Sequence, residues 1–500
     1  MRGFLSLITC FAILQNVRGW REFSRGRSKG GNLGLPGGDD LVRGEHEKVT
    51  TEWFTQYLDH SSPTDSRTWK QRYFVNDQYV NQRRDVAFLM IGGEGEASIQ
   101  WMTKGAWINY AKKFNAICFQ LEHRYYGKSH PTADLSTENL QYLTSEQALA
   151  DIAYFIEEMN VKYELSPNVK WIAFGGSYPG SLAAWVRQRY PHLVYGSMAA
   201  SGPLLAEINF SEYFTVVYND LKGTGGDKCV SAVKQAFYQV DLLTRHMVGQ
   251  RNLDKLFVLC DSIAGTTSSS EDIANLFETL NGHFAETAQY NKDNRMSKVP
   301  NNITLDTLCN IMVNDKLGPE VNRLAAVNDL MMKRNNQTCL DYKYDKMISD
   351  MRNVSWGSEV SEGGRQWYYQ TCTEFGFCQT TDAKPQVFGD KNDLDFYIKQ
   401  CSDVFGPKFD LTTLQRGVKR TNTLYGALNT PVTNVIFVQG SYDPWHVLGV
   451  NRSKKLSPAV YIEAAAHCAN MYPPSENDTQ ALRQARVQIQ EFIGNLLKSA

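Results

Sequence analysis

The sequence predicts an α/β protein in which a mostly parallel sheet carries helices on both faces and a helical domain interrupts its two halves. Three observations carry this reading. Apolar strand-like runs alternate with helical stretches between residues 86 and 199, and from 211 to about 421 the segments are helical. Strand signals then return at 434–438 and 460–463, ahead of a last amphipathic helix.

Taken in order, the strand-like runs are 54–58, 72–75, 86–91 and 116–121. Helical stretches fall at 101–114 and 145–160, the second opened by Thr144 and Gln147 at capping-box spacing. A strand at 169–174, a glycine turn, a helix and a strand at 194–199 continue the alternation. After Pro203 come helices at 227–246, 270–285, 305–314 and 321–334. The final helix shows Leu482, Ala485, Ile489, Phe492, Ile493 and Leu496 at helical spacing. The α/β domain is therefore expected over 49–205 and 425–500, with the helical cap over 206–424. Residues 20–48 are Gly- and Arg-rich without apolar periodicity and read as a flexible tail or pro-segment.

Residues 1–19 read as a signal peptide: Arg2, an apolar stretch from Phe4 to Leu14, and small residues near Gly19. That stretch is too short to span a bilayer, and no later one approaches the roughly 20 apolar residues a membrane helix needs. With 52 Lys and Arg against 53 Asp and Glu, net charge −1, the chain lacks the basic excess of a nucleic-acid binder. Sequons at Asn209, Asn302, Asn336, Asn353, Asn451 and Asn477 point to glycosylation on the secretory route, extracellular or lysosomal. Of ten cysteines, setting aside Cys10 of the signal peptide leaves nine, none in a Cys-x-x-Cys pair, so disulfides are the better reading than metal ligation. The odd one is expected to be Cys118, buried in Ala116-Ile117-Cys118-Phe119 as a small hydrophobe.

The chemistry centres on Gly175-Gly176-Ser177-Tyr178-Pro179-Gly180, between the run Trp171-Ile172-Ala173-Phe174 and a helix. Strand, tight glycine turn bearing a serine, then helix is the context of a nucleophile elbow, and the Tyr178 N–H at the helix start faces a developing oxyanion. The usual G-x-S-x-G places glycine two residues after serine; here Pro179 stands there and glycine follows. A nucleophilic serine needs a base and an orienting acid, which on this architecture follow as acid, then histidine, each after a late strand. Asp443 follows Ile436-Phe437-Val438, and His467 follows Val460-Tyr461-Ile462. His446 shares the Asp443 loop and His123 precedes the serine, so both fit structural roles better. Gly92-Gly93-Glu94-Gly95, after another strand, offers a second oxyanion donor around Gly93 and Glu94, or Glu94 as a polar contact for substrate. The triad Ser177–Asp443–His467 makes the fold an α/β-hydrolase.

These residues resemble the prolylcarboxypeptidase and dipeptidyl peptidase II family of serine exopeptidases, most of all its thymus-specific serine protease branch. The likeness runs through Gln56-Tyr57-Leu58-Asp59-His60, Gln71-Arg72-Tyr73-Phe74, Gly92-Gly93-Glu94-Gly95, Glu122-His123-Arg124-Tyr125-Tyr126-Gly127, the Ser177 turn with Leu182-Ala183-Ala184-Trp185, and Asp443-Pro444-Trp445. It implies an inserted helical cap, a peptide substrate cut next to proline, and triad roles for Ser177, Asp443 and His467. It also implies a proline pocket walled by Trp445 and Phe377, altered at Ser181, where relatives carry a bulkier apolar residue. Disulfides Cys229–Cys309, Cys260–Cys339 and Cys372–Cys401 follow from the resemblance, leaving Cys378–Cys468 as the remaining pair, which spacing alone does not choose.

The sequence thus predicts a cofactor-free serine exopeptidase acting on short peptides, with no nucleic-acid or membrane partner. A carboxylesterase or lipase on the same fold, and an inactive hydrolase-like binding protein, are the rival readings. Amino- versus carboxy-terminal cleavage and oligomeric state, a homodimer included, stay open.

Overall fold

The computed structural model describes residues 21–36, 49–265, 269–293 and 303–498. The expected signal peptide, residue 20 and residues 37–48 of the expected tail, and the sequon at Asn302 lie outside the described residues.

The chain opens with two short antiparallel strands, β1 (Phe23–Ser24) and β2 (Arg27–Ser28). β3 (Thr50–Tyr57), β4 (Thr68–Asn76), β5 (Val86–Ile91), α1 (Ala106–Phe114), β6 (Ile117–Leu121), α2 (Ser145–Lys162), β7 (Lys170–Gly176), α3 (Tyr178–Arg189) and β8 (Val194–Ala200) follow. After the helical region, which holds β9 (Glu207–Asn209) and β10 (Gly376–Cys378), come β11 (Val435–Gly440), β12 (Ala459–Ile462) and α13 (Gln480–Lys498). The eight-stranded sheet has the order β12-β11-β8-β7-β5-β6-β4-β3. β4 alone is reversed, pairing antiparallel with β3 and with β6; every other pairing in the sheet is parallel. This is the α/β-hydrolase arrangement, with a helical region added.

Period-two alternation explains how the sheet is covered. In β5, Ala87, Leu89 and Ile91 face a core shared with α2, α3 and the helical region, while Phe88 and Met90 face one shared with α1 and α13. In β7, Trp171 and Ala173 oppose Ile172 and Phe174 in the same way. The Thr144 hydroxyl caps α2 by accepting from Gln147 N–H. The expected helix at 101–114 divides, because Gly105 at φ 97 separates a short 3-10 turn from α1.

The helical region contains β9 (Glu207–Asn209), α4 (Glu212–Thr244), α5 (Met247–Leu256), α6 (Ser270–Gln289), α7 (Leu305–Met312), α8 (Glu320–Arg334) and α9 (Tyr344–Met351). It continues through α10 (Gly364–Gln370), β10 (Gly376–Cys378), α11 (Leu394–Phe405) and α12 (Leu411–Tyr425). α4 kinks at Gly226, where φ is 67. Sequence periodicity did not single out α5 or α9 to α12 within this region. Among the described residues, no helix is long and apolar enough to cross a membrane.

Two expectations are corrected. Residues 21–36 are not a flexible tail: Arg25, Arg27 and Asn32 are buried against the rest of the protein. The bridges Cys229–Cys309, Cys260–Cys339 and Cys372–Cys401 form, but Cys378 and Cys468 do not pair. Cys378 sits in an apolar cluster with Tyr397 and Cys401, whereas Cys468 packs in the core beneath the sheet, so the two thiols belong to different cores. Both stay free, as does Cys118, and burial pushes the Cys378 thiol up to about 11. Four sequon asparagines, Asn336, Asn353, Asn451 and Asn477, are exposed. Asn209 is half-buried, donating to Asp382 and accepting from Thr380, so its amide is engaged. Denatured without reductant, the chain lacking its expected signal peptide should expose three thiols to a chromogenic disulfide reagent; a single thiol would mean that Cys378 and Cys468 are bridged.

Candidate active site

β7 runs straight into α3, and the reversal between them is possible only because side chains are missing at set places. A Cβ on Gly175 would lie 1.9 Å from the Pro179 carbonyl oxygen, and one on Gly180 2.5 Å from that of Ala200. Between these contacts Ser177 adopts φ 66 and ψ −134, a conformation costing a non-glycine residue about 1–3 kcal/mol. The Ser177 N–H donates to Ala200 O on the neighbouring strand (2.9 Å), fixing the turn to the sheet. Pro179 falls in the first turn of α3, where a missing N–H costs nothing. Its ring packs on Gly93, whose Cβ would meet it at 2.2 Å, so the Gly92–Gly95 loop lies directly against the elbow. The departure from G-x-S-x-G is therefore a local repacking: glycine is needed at 175 and 180 rather than at 179.

Asp443 and His467 come from the loops after β11 and β12, on the same edge of the sheet as Ser177. His467 Nδ1 and Asp443 Oδ2 are 2.9 Å apart, off the line of a straight hydrogen bond, and both side chains are fully buried. Asp443 Oδ1 accepts from the Trp445 N–H (3.0 Å), which holds the carboxylate in place. Burial alone would lower the His467 pKa, but the Asp443 carboxylate outweighs it, aided by Cys468, and holds the imidazolium well above its ordinary value. The His467 loop is pinned by its own N–H on Gln289 O (2.9 Å) and by the Cys468 N–H on the Ser201 hydroxyl (2.9 Å).

The rival histidines are occupied elsewhere. His446 Nδ1 donates to the backbone carbonyl of Asp443 (2.7 Å). His123 Nδ1 donates to Arg124 O (2.7 Å), its Nε2 accepts from the Tyr178 hydroxyl (3.1 Å), and burial lowers its pKa to about 4. The rest of that motif is scaffold. The buried Glu122 carboxylate gathers Arg72 (2.5 Å), Ser129 (2.8 Å) and the Ala97 N–H (3.1 Å), while Arg124 forks onto Asp151 at 2.6 Å through two nitrogens.

Trp445 and Phe377 meet edge to face at 5.0 Å, with Phe210 5.3 Å and Tyr213 6.1 Å from the Trp445 ring, so the four rings form one aromatic wall. Trp445 Nε1 donates to Gln289 Oε1 (2.9 Å). Ser181 does not join this wall: its buried hydroxyl donates to Pro203 O (2.8 Å), so the residue braces α3 against the chain leaving β8.

Several residues of the site escaped sequence reasoning. Asn32 Nδ2 donates to Ser177 Oγ (3.1 Å), and the Asn32 N–H donates to Glu94 Oε1 (2.9 Å). Glu94 is buried, which pushes its carboxyl up, and its Oε2 has no partner among the described residues. Gly26 lies on the Trp445 ring, where a Cβ would come within 2.4 Å. Gln289 and Tyr290, at the end of α6, contact His467 through its N–H and its ring. A glycine- and arginine-rich stretch carries no periodic signal for such packing, and a lone Gln-Tyr at a helix end carries none for a site. Among the described residues no group of three or more His, Cys, Asp or Glu side chains could hold a metal ion.

A serine on a strained strand-to-helix turn, a histidine and a carboxylate from later strand ends, and a glycine loop against the turn can carry out acyl transfer. The comparisons agree with that chemistry. Residues 56–489 match the family described as Serine carboxypeptidase S28. Thymus-specific serine protease of Mus musculus is 35% identical over 457 residues, 89% of this chain and 87% of its own. Its Homo sapiens counterpart is 32% identical over 462 residues, 90% and 87% of the two chains. Lysosomal Pro-X carboxypeptidase of Mus musculus is 30% identical over 460 residues, 88% and 87%. The chain belongs to the serine carboxypeptidase S28 family of serine-type peptidases.

Proposed function

We propose that this chain is a serine exopeptidase of the secretory route, extracellular or lysosomal, that hydrolyses short peptides next to proline through an acyl-enzyme on Ser177. The observation that carries it is Ser177 at φ 66 on the elbow, with the buried His467–Asp443 pair, 2.9 Å apart, on the same sheet edge. Ser177 Oγ attacks the scissile carbonyl, His467 takes its proton and returns it to the leaving amine, and Asp443 stabilises the imidazolium. The Tyr178 N–H and the Gly93–Glu94 backbone stabilise the oxyanion, about 3–4 kcal/mol for a single donor. The Glu94 carboxylate accepts a backbone N–H from Asn32, which suits a polar contact to a peptide. The Trp445–Phe377 wall suits a compact apolar ring such as proline, and one relative bears the name Lysosomal Pro-X carboxypeptidase. Exposed Asn336, Asn353, Asn451 and Asn477 are the glycan acceptors of this reading.

Ser177→Ala should abolish labelling by a serine-directed fluorophosphonate while thermal unfolding is unchanged; persistent labelling of the variant would sink the nucleophile assignment. Peptide-library profiling by mass spectrometry should show cleavage next to proline near one chain end, and the length of the released fragment identifies which end. Release from internal positions, or hydrolysis of simple esters alone, would refute the exopeptidase reading.

The general base must be neutral to accept the serine proton, so kcat/KM rises with pH as His467 loses its own. Because Asp443 holds that imidazolium above its ordinary value, the acidic limb should lie above the pH of about 6.5 at which a free imidazole titrates. Asp443→Asn should move the limb to lower pH and reduce kcat by about 10⁴-fold; a limb that stays in place in this variant would show that another group sets it.

A further inference from the structure

Residues 21–36 lie between the loops of the sheet and the helical region and are held from both sides. From the helical region, the Trp367 indole N–H and the Gln289 amide donate to the carbonyls of Arg25 (3.1 Å) and Gly26 (3.3 Å), and the Tyr290 hydroxyl donates to Asn32 O (3.2 Å). From the sheet side, Trp101 Nε1 donates to Gly34 O (2.9 Å) and the Tyr472 hydroxyl to Leu33 O (2.7 Å). Glu94 takes part with both ends of the residue: its carboxylate accepts the Asn32 N–H and its carbonyl the Arg27 Nε–H (2.8 Å). Two arginines anchor the segment. Arg25 is buried on Thr371 Oγ1 (2.8 Å), Tyr397 O (2.9 Å) and Gln400 Oε1 (2.9 Å), with its guanidinium 4.3 Å from the centre of the Tyr368 ring. Arg27 forks onto Glu362 at 3.0 and 2.7 Å.

The segment closes the site it crosses. Ser177 is 3% exposed, and Asp443 and His467 are 0% exposed. The open space beside the elbow, a cavity of about 610 Å³ walled on one side by residues 29–35, is lined by Gly93 and Pro179 but by none of these three residues. Ser177 Oγ accepts from Asn32 Nδ2, and His467 Nε2 has no hydrogen-bond partner among the described residues, so the contact a general base needs with its nucleophile is not made. Gly26 sits on the Trp445 ring where substrate would bind. Main-chain groups form much of this grip: Gln289 and Trp367 read carbonyls, and the Tyr290 hydroxyl reaches the Asn32 carbonyl (3.2 Å) as well as its side-chain Oδ1 (3.1 Å).

We propose that residues 21–36 are an intramolecular pseudo-substrate: the chain that retains them is latent, and Gln289, Tyr290 and Trp367 bind the backbone of an extended peptide substrate once they leave. The inference rests on the peptidase reading of Ser177. Its logic is population: if the segment leaves the cleft only a small fraction of the time, apparent reactivity falls by that fraction.

The test uses the full chain. Gly26→Val puts side-chain atoms into Trp445 and Gln379, Arg27→Glu turns an ion pair into a repulsion with Glu362, and Glu362→Gln weakens the same pair from the other side. Variants with native circular dichroism should react with a fluorophosphonate probe about ten-fold faster than the unaltered chain or more. A synthetic peptide of residues 21–36, added to Arg27→Glu or Glu362→Gln, should slow labelling again. Equal labelling rates for the unaltered chain and all folded variants, or no effect of the peptide, would overturn the proposal and leave the Ser177 chemistry standing. Failure of every folded form to label would overturn both.

Discussion

The site depends on where backbone is allowed to touch backbone at the end of β7. The carbonyl of Pro179 folds back onto Gly175, and Gly180 lies against the carbonyl of Ala200, at separations from a Cβ position of 1.9 and 2.5 Å. Real Cβ contacts do not come so close, so any other residue at either position would open the turn. Opening it would rotate Ser177 out of φ 66, move the Tyr178 N–H away from the front of α3, and lift the Pro179 ring from Gly93. One steric condition thus sets the serine, the Tyr178 N–H proposed as the first oxyanion donor, and the position of the glycine loop proposed to supply the second.

That strained turn persists because its surroundings are over-determined. Behind it, Tyr178 is locked by His123 (3.1 Å) and Gln370 (3.2 Å), and Gln370 in turn accepts from Tyr126 (2.7 Å). Tyr126 and His123 belong to the loop that Glu122, Arg72, Arg124 and Asp151 fix with buried ion pairs. Removing one member of such a pair leaves a buried charge unmet, a cost of about 3–5 kcal/mol. The polar motif is therefore part of the platform under the elbow, although its residue types resemble a catalytic cluster when read as a string. Its pairing decides between those roles, since its charges are spent on one another, and such pairing is not visible in sequence.

The sheet was legible because strands buried on both faces read as unbroken apolar runs. Such runs at β5 and β7 and their return at β11 and β12 placed Ser177, Asp443 and His467 at strand ends. Three disulfides followed from resemblance, but Cys378 and Cys468 escaped, because proximity in a folded core is three-dimensional and the two thiols lie in separate clusters. Ser181 escaped for a related reason. Helical phase says which residues share a face, not that its hydroxyl finds the Pro203 carbonyl instead of the aromatic wall. The N-terminal stretch was least legible of all. Its residues make no regular element beyond two short strands, and its order comes from single long-range contacts such as Arg25 among Thr371, Tyr397 and Gln400.

Those contacts bear on why the acid–base pair is so deeply buried. Burying an ionised Asp443 beside His467 is costly unless each remaining polar atom has a partner or meets one during reaction. Asp443 Oδ1 has the Trp445 N–H, but His467 Nε2 has no partner among the described residues, and Ser177 Oγ is held by Asn32 instead. An unmet imidazole nitrogen and a serine hydroxyl bonded to a different side chain are complementary defects. Withdrawing Asn32 leaves the hydroxyl without its donor and opens the space in which it can turn to His467. The burial that makes the unpaired nitrogen unfavourable also makes the Ser177–His467 contact strong once formed, since a hydrogen bond shielded from water is worth more than an exposed one. The arrangement therefore holds its missing contact in reserve: the same low-dielectric pocket disfavours the plugged state at His467 and favours the assembled triad after the segment has gone.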